Sequence, residues 1–393
     1  MALVLPGGGA RAAYQAGVLK GLIEICQTLI KGNPFPIITG ISAGAINGCH
    51  CAGHVHDWDS GIKQLIQFWS EIGSHKVFDT HFISMSRITL SLLADIITGS
   101  FGNKKMAHAL LGTSPLRKYL SERLQSKNIQ MNLDKGHLES LAITATEYSG
   151  STNISFVQSH PSVSMWQRKR RRGEQTKISV EHVMASCAIP MFFPSVKIDG
   201  RFFGDGSLRN SAPISPAIFL GAEKLLMISV YKFPDRIWEI PTKTDNPSLA
   251  WMLSVIISSI FFDAMDGDLE RILRTNEELA AGRSRTLAGQ PLKHVEVLTI
   301  RPSENLSDIA GELSDSMPPV MKHLLGTLGS LSEARDLISY LLFEPTYCQR
   351  LIDLGYRDCL AKREEVMRLW PPKAPNFLFI GDYCIHCGLQ LIF

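Results

Sequence analysis

The chain has 393 residues, of which 45% are hydrophobic and 20% are charged, with a formal net charge of +3. This composition is ordinary for a globular protein, and the small positive charge argues against a dedicated nucleic-acid-binding protein. The length accommodates one large domain or a main domain with an extension.

The first predicted elements are a buried strand, a glycine-rich loop and a helix. Residues 2–5 (ALVL) form a continuous apolar run that is typical of a buried strand. Residues 7–11 (GGGAR) follow, and residues 11–19 open a helix. A glycine-rich loop between a strand and a helix presents backbone N–H groups to an anion. We therefore expect an anion site at this loop.

The same loop also permits a rival interpretation, a dinucleotide site. Gly7, Gly9 and Ala12 satisfy the loose pattern G-x-G-x-x-G/A. That pattern expects an acidic residue at the end of the second strand, but the second predicted strand ends in residues 39–42 (TGIS), and Glu24 lies on the first helix. The dinucleotide interpretation therefore fails its second requirement. A P-loop fails too, because no Gly-Lys-Ser/Thr follows.

The second predicted strand leads into the pattern of a nucleophile elbow. Residues 36–39 (PIIT) read as a short buried strand, and residues 40–44 (GISAG) match G-x-S-x-G. Gly40 and Gly44 stand where the turn is too crowded for side chains. The pattern predicts Ser42 as a nucleophile at the start of a helix of small residues, with the helix dipole near its hydroxyl.

The middle of the chain alternates between helix and strand patterns. Residues 62–69 predict a helix, and residues 82–97 repeat apolar side chains at helical spacing. This second segment is either a lid or substrate-channel wall, or an amphipathic helix packed on the core. Residues 141–146 and 153–157 predict strands. The five cations at 168–172 (RKRRR) indicate either a solvated loop or attraction to an anionic lipid surface.

Two motifs follow in the second half. Residues 185–194 (ASCAIPMFFP) are a run of small residues with a turn bounded by prolines, and residues 205–207 (DGS) end a predicted β-hairpin. By itself an Asp-Gly pair is also a common turn. Residues 225–230 and 295–300 predict late buried strands, and the chain becomes helical from about residue 303.

These motifs together carry a resemblance. Residues 7–11, 40–44, 185–194 and 205–207 resemble, in order and spacing, the motifs of the patatin-like phospholipase family, and the likeness covers about residues 1–232. One departure is Ser207, where many members have Gly or Ala. The resemblance implies an α/β fold: a three-layer sandwich with a mostly parallel central sheet, with a helical C-terminal extension added here.

The resemblance also implies a Ser-Asp dyad that needs no histidine. Ser42 would attack an ester carbonyl and Asp205 would accept its proton. The implied oxyanion hole consists of backbone N–H groups of Gly7, Gly8, Gly9 and Ala43. The implied supporting residues are Gly40, Gly44, Gly206 and Arg11.

Two site residues require a physical account of their own. An unperturbed aspartate has a pKa near 3.9 and is a weak base, so we expect burial by Phe202, Phe203 and the flanking glycines to raise the pKa of Asp205. Arg11 either contacts a lipid phosphate or braces the loop through a carboxylate or carbonyl, and its forked donors suit both tasks. We favour bracing.

The implied function is hydrolysis of a lipid acyl ester, as in a phospholipase A or lysophospholipase, through an acyl-Ser42 intermediate. No metal or organic cofactor is expected. A small-ester or thioester hydrolase and an acyltransferase share the same dyad, so they stay open as alternatives. A membrane-associated binding protein without turnover is the alternative from another class.

The remaining expectations concern organisation and location. We expect an acyl hydrolase domain at 1–302, with its motifs in 1–232, and an extension at 303–393. The apolar N-terminal run is too short for a signal peptide, and residues 251–262 are too short and serine-rich to span a bilayer. They read as a core helix or a lipid-facing lip.

Cysteine usage completes the picture of location. The eight cysteines lack the spacing of a disulfide framework, which suits a reducing compartment. The C-x-x-C at 384–387 has no second pair at zinc spacing, so we expect no metal. We therefore expect a cytoplasmic protein with a phospholipid or other acyl-lipid substrate, and with anionic-membrane contact as the alternative role of the basic run.

Overall fold

The computed structural model describes residues 1–26, 32–79, 109–209, 213–232, 246–259, 264–283, 286–287, 290–370, 379–380 and 383–384. The predicted segment at 82–97 and most of the C-x-x-C at 384–387 lie outside the described residues.

The predicted apolar runs at 2–5, 36–39, 141–146, 153–157, 225–230 and 295–300 all contain strands, and further strands lie at positions that were not predicted. In chain order they are β1 (Ala2–Leu5), β2 (Ile37–Ile41), β3 (Ser140–Glu147), β4 (Thr152–Ser159), β5 (Gln167–Arg168), β6 (Arg171–Gln175), β7 (Val196–Ile198), β8 (Arg201–Asp205), β9 (Lys224–Ile228), β10 (Thr286–Leu287), β11 (Gln290–Pro291), β12 (Glu296–Ile300), β13 (Phe379–Ile380) and β14 (Tyr383–Cys384).

The helices occupy the segments between and after these strands. They are α1 (Ala13–Cys26), α2 (Ala43–His54), α3 (Trp58–Ser70), α4 (Ser74–Val77), α5 (Ser114–Arg123), α6 (Ser126–Asp134), α7 (Val180–Ser186), α8 (Ile214–Phe219), α9 (Leu249–Ser258), α10 (Ala264–Ala280), α11 (Leu306–Glu312), α12 (Pro319–Leu328), α13 (Arg335–Leu341), α14 (Pro345–Ala361) and α15 (Arg363–Leu369). Short 3-10 turns lie at Gly9–Ala12, Gly206–Leu208 and Ser314–Ser316.

The central sheet has a parallel core with antiparallel additions at one side. Strands β12, β9, β1, β2 and β3 are neighbours in that order, and all four of these pairings are parallel. Beyond them β4 runs antiparallel to β3, and β8 pairs antiparallel with the last residues of β3. The carboxyl ends of β1 and β2 therefore lie side by side, which brings the glycine-rich loop next to the elbow.

Both faces of the sheet are covered, as the unbroken apolar sequence of β1 requires. Leu3 and Leu5 pack into the core cluster that includes α1, α2 and α3. Ala2 and Val4 point to the other face, where residues of α8 and α10 cover them. The predicted α/β sandwich with a mostly parallel sheet is confirmed, as is a helical C-terminal region.

The C-terminal helices pack on the first helix of the chain. Helix α14 lies along α1, and the Tyr14 hydroxyl donates a 3.0 Å hydrogen bond to Asp358 Oδ2. The Ser303 hydroxyl donates to the other oxygen of the same carboxylate at 2.6 Å. Residues of both regions belong to one hydrophobic cluster. The domain boundary at residue 302 stays a prediction.

None of the helices in the described residues is long and apolar enough to cross a membrane. In the same part of the chain, no three His, Cys, Asp or Glu side chains converge in a way that suits a metal ion. Cys348 and Cys359 are buried free thiols.

Candidate active site

Ser42 lies on the tight turn between β2 and α2. Its backbone has φ 54° and ψ −132°, a left-handed conformation that is strained for a residue with a side chain. The turn is closed by the approach of α2 to the end of β1. A Cβ on Gly44 would lie 2.1 Å from the carbonyl oxygen of Leu5, so only glycine fits there. The crowding predicted from the sequence is present.

The glycine-rich loop lies beside this turn. Gly9 has φ 55°, and a Cβ on it would lie 2.2 Å from the carbonyl oxygen of Tyr340 on α13. The N–H groups of Gly7, Gly8 and Ala43 donate to no acceptor among the described residues. Unused N–H groups at the start of a helix are available to an oxyanion.

Asp205 is the last residue of β8 and pairs with Ala145 on β3. Its side chain is completely buried. Burial raises the pKa of Asp205 to about 6, and hydrogen bonds from Ser42 and Ser207 oppose the rise. Oδ1 accepts the backbone N–H of Ser207 at 2.9 Å.

The second carboxylate oxygen of Asp205, Oδ2, is not the one that accepts the backbone N–H of Ser207. The Ser42 hydroxyl is near enough to lower the pKa of Asp205 as a hydrogen-bond donor. Oδ2 nevertheless has no partner with full hydrogen-bond geometry among the described residues.

Of the two phenylalanines expected to bury Asp205, only one is itself buried. Phe203 is fully buried, whereas 51% of Phe202 is exposed. Successive side chains of a strand point to opposite faces, so β8 directs Phe203 towards the core and Phe202 to the surface. The expectation for Phe202 was wrong.

Ser186 was part of a recognised motif but was not singled out as a site residue. The backbone N–H of Ser42 donates to its hydroxyl at 2.8 Å, and that hydroxyl donates to the Thr144 carbonyl at 2.7 Å. In the same motif, the Ala188 carbonyl accepts the N–H of Asp205 at 2.8 Å. Residues 185–194 thus form hydrogen bonds with the backbones of both candidate catalytic residues, Ser42 and Asp205. The sequence signal that could have identified Ser186 is a polar side chain within a run of small, mostly apolar residues.

Arg11 braces the loop, as we favoured. Its side chain is only 2% exposed, and its Nε donates to Ser339 Oγ at 2.7 Å. One terminal nitrogen donates to Ser307 Oγ at 2.7 Å and to Asp336 Oδ1 at 3.1 Å. The guanidinium also lies over the Tyr340 ring, 4.4 Å from its centroid. These contacts occupy the donors that a lipid phosphate would need.

The basic run at 168–172 forms a hairpin instead of a loop. Arg171 donates to Ser215 Oγ at 2.6 Å, and Arg172 pairs with Glu174. Its exposed members are Arg168, Lys169 and Arg170. Two residues of the run are therefore engaged within the fold, and the other three remain at the surface.

Two cavities of similar volume differ in the polarity of their lining. A polar cavity of about 550 Å³ lies beside the turn after Asp205 and is lined by Thr146, Glu147, Tyr148, Ser151, Leu208 and Arg209. A more apolar cavity of about 500 Å³ lies between α8 and α10 and contains none of the candidate catalytic residues. Neither Ser42 nor Asp205 lines either of these two cavities.

Comparison with known proteins supplies the family. The profile of the family described as patatin-like phospholipase matches residues 3–218. A "cGAMP-activated phospholipase" of Pseudomonas aeruginosa is 27% identical over 220 residues, which are 54% of this chain and 53% of that protein. The chain thus spans about half the length of this curated relative.

Solved structures give more distant likenesses. VipD from Legionella pneumophila is 12% identical with a TM-score of 0.35, over 93% of this chain and 67% of that one. Human GIVD cytosolic phospholipase A2, in complex with a fluorophosphonate, is 12% identical with a TM-score of 0.42, over 94% of this chain and 58% of that one. The family profile alone covers more than half of the chain, and by that match the chain belongs to the patatin-like phospholipase family.

Proposed function

We propose that the protein is a lipid acyl hydrolase that cleaves carboxylic esters of phospholipids or lysophospholipids through an acyl-Ser42 intermediate. The observation that carries this proposal is the pairing of a strained elbow serine with a fully buried aspartate whose pKa lies near 6. Membership of the patatin-like phospholipase family supports a lipid substrate.

In the proposed first half-reaction, Ser42 Oγ attacks the ester carbonyl carbon and transfers its proton to Asp205 Oδ2. The carbonyl oxygen becomes an oxyanion, which the N–H groups of Gly7, Gly8, Gly9 and Ala43 would stabilise. The C–O bond to the leaving alcohol then breaks, and the alcohol takes the proton from Asp205. The products of this half-reaction are the acyl-enzyme and a free alcohol or lysolipid.

In the second half-reaction, water attacks the acyl-enzyme carbonyl and gives its proton to Asp205. Collapse of the intermediate returns that proton to Ser42 Oγ and releases the fatty acid. A base with a pKa of about 6 is largely ionised at neutral pH and yet stronger than an ordinary aspartate. Asp205 therefore suits both proton transfers without a histidine.

Access to the site must involve movement. Ser42 is 1% exposed and Asp205 is fully buried. An ester carbonyl cannot reach Ser42 Oγ until the residues that cover it shift. We therefore expect low activity towards soluble esters and higher activity at a lipid surface.

The test is covalent labelling with a fluorophosphonate probe, which reacts with activated serines. The wild type should label, and Ser42→Ala should not. Ser121→Ala is the matched control, because this serine lies on the exposed surface of α5, where its hydroxyl donates only to the Arg117 carbonyl. This control should label like the wild type.

Two outcomes would contradict the proposal. Equal labelling of wild type and Ser42→Ala would remove Ser42 as the nucleophile. Absence of labelling with and without phospholipid vesicles would favour a binding protein without turnover. If Ser42 labels, product analysis with and without an added alcohol acceptor separates hydrolysis from acyl transfer.

A further inference from the structure

Helix α9 carries its large apolar side chains on the outside. Leu249, Met252, Val255 and Ile256 are exposed by 52%, 46%, 55% and 48%, respectively. Their spacing of three and four residues places them on one side of the helix. The buried positions of the same helix are Ala250, Ser254 and Ile257. The helix is therefore inverted relative to an ordinary surface helix, in which the larger apolar residues face the core.

This face is uncharged as well as apolar. The ten residues of α9 (LAWMLSVIIS) contain no Asp, Glu, Lys or Arg. A single exposed hydrophobic residue needs no explanation, as at Leu273 on α10, which is 57% exposed. Four such residues on one face form a contiguous patch of the kind that marks an interaction site. Residues 260–262 lie outside the described residues; for the outward side chains of Met252, Val255 and Ile256, the core-helix interpretation of residues 251–262 is wrong.

The position of α9 connects it to the candidate site. Helix α9 packs against α13, and α13 contacts the 3-10 turn Gly9–Ala12 of the glycine-rich loop. Tyr340 on α13 is the contact residue: its carbonyl oxygen lies against Gly9, and its ring lies under Arg11. Burial raises the pKa of the Tyr340 phenol, and the positive charge of Arg11 opposes that rise. One helix thus separates the apolar face from the loop.

We propose that the outward face of α9, formed by Leu249, Met252, Val255 and Ile256, docks the protein on a lipid surface by inserting among acyl chains. A face without charge matches hydrocarbon, and it lacks the polar groups that a specific protein partner would use for register. Trp251, half-buried beside this face, has the amphipathic ring that favours the headgroup level.

The inference rests on the proposed function in one respect. A lipid hydrolase must bring its site to a lipid surface, and α9 is attached to the loop that would hold the oxyanion. Docking would also place the covered site next to the substrate, with α13 as the contact between the docked helix and Gly9. The inference nevertheless concerns binding, so it can be measured without turnover.

The experiment uses full-length Ser42→Ala protein and sedimentation with phosphatidylcholine vesicles, which carry no net charge. Substituting Met252→Glu together with Val255→Glu should weaken partitioning at least about tenfold, because two charges would have to enter hydrocarbon. Leu273→Glu is the matched control and should bind like its parent. Binding by the parent should be nearly independent of salt, because apolar insertion is not screened.

The other possible results of the vesicle experiment would contradict the docking inference or assign the contact to another surface. Unchanged binding by the Met252→Glu/Val255→Glu protein, or no binding by the parent, would overturn the inference. Binding that requires anionic lipid and is lost with salt would assign membrane contact to Arg168, Lys169 and Arg170 instead. A dimer of the parent that the paired substitutions dissociate would make α9 an interface between copies.

Separate control experiments test whether the variants fold and whether Ser42 is reactive. Thermal unfolding of each variant shows whether the glutamates disturb the fold, and a single Val255→Ser variant tests the face without adding charge. Fluorophosphonate labelling of the wild-type protein, which keeps Ser42, reports the proposed function. Failed labelling of the wild type, together with vesicle binding by the Ser42→Ala parent that the paired glutamates weaken, would overturn the proposed function and leave the docking inference standing.

Discussion

The backbone N–H of Ser42 donates a 2.8 Å hydrogen bond to the hydroxyl of Ser186, which lies 144 residues further along the chain. That hydroxyl donates in turn to the Thr144 carbonyl at 2.7 Å. Ser186 therefore joins the strained turn of the elbow to strand β3, and β3 pairs with the strand that carries Asp205. The relative position of the two candidate catalytic residues depends on this bridge.

Removal of the bridge should affect both stability and activity. In Ser186→Ala, the buried N–H of Ser42 and the carbonyl of Thr144 lose a partner, and we expect a loss of about 1–3 kcal/mol in unfolding free energy. We also expect lower kcat/KM, because the elbow loses its support. Urea unfolding and ester hydrolysis measure the two effects.

Ser155→Ala is the matched control for this prediction. Ser155 is also buried and shares a 2.9 Å hydrogen bond with the Thr144 hydroxyl, but it does not contact the elbow. It should lose stability with little change in kcat/KM. An equal loss of activity in both variants would show that Ser186 acts only through general stability.

The activity should depend on the ionisation of Asp205. Its pKa is raised to about 6, chiefly by burial, and only the carboxylate form can accept the serine proton. We expect kcat/KM to rise with pH, with a midpoint near that value, and to level off above it. A pH profile with a soluble ester, taken over the range in which the protein stays folded, measures the midpoint. A midpoint near the ordinary aspartate value would contradict the assignment of Asp205 as a buried base.

Asp205→Asn should be inactive and more stable than the wild type at neutral pH. Because the folded-state pKa of Asp205, about 6, lies above the ordinary aspartate value of 3.8, the folded state binds this proton more tightly than the unfolded state. The resulting stability is complete below the unfolded value and is lost as pH rises through about 6. At neutral pH the ionised, buried carboxylate lowers stability by about 3 kcal/mol.

The measurement is urea unfolding of both proteins at neutral and acidic pH. Asparagine keeps an oxygen acceptor for the N–H of Ser207 and does not ionise, so the stability advantage of Asp205→Asn should be present at neutral pH and shrink as the solution is acidified. An advantage that grows with acidification would reverse the sign and contradict the raised pKa.

Arg11 should be important for stability although it lies beside the candidate site. Arg11→Met removes the donors to Ser339, Ser307 and Asp336 from a buried position, and we expect a loss of about 2–4 kcal/mol. Asp336→Asn should cost about 1 kcal/mol or less, because the side chain of Asp336 is about half exposed and the pair is partly screened by water.

Chemical unfolding of the two variants provides the comparison. Fluorophosphonate labelling of each variant reports whether the glycine-rich loop has moved. A larger effect from Asp336→Asn than from Arg11→Met would mean that the ion pair, and not the packing of the guanidinium over the Tyr340 ring, holds the loop.

The sequence by itself was sufficient for the local features. The apolar run of residues 2–5 predicted a strand buried on both faces. The glycines of residues 40–44 predicted a turn with no room for side chains. The order of the four motifs indicated the family before any contact was known. These features are local because they depend on backbone conformation and on the period of apolar residues.

The tertiary structure decided which side chains contact each other across the fold and which side of each helix or strand is exposed. The partners of Arg11 lie on α11 and α13, about 300 residues away, and no local pattern specifies them. The direction of Phe202 follows from the pairing register of β8, and a shift by one residue would have reversed it. The outward face of α9 is the clearest case. Its composition predicts burial in some apolar medium, but only the packed fold shows that the protein core is not that medium.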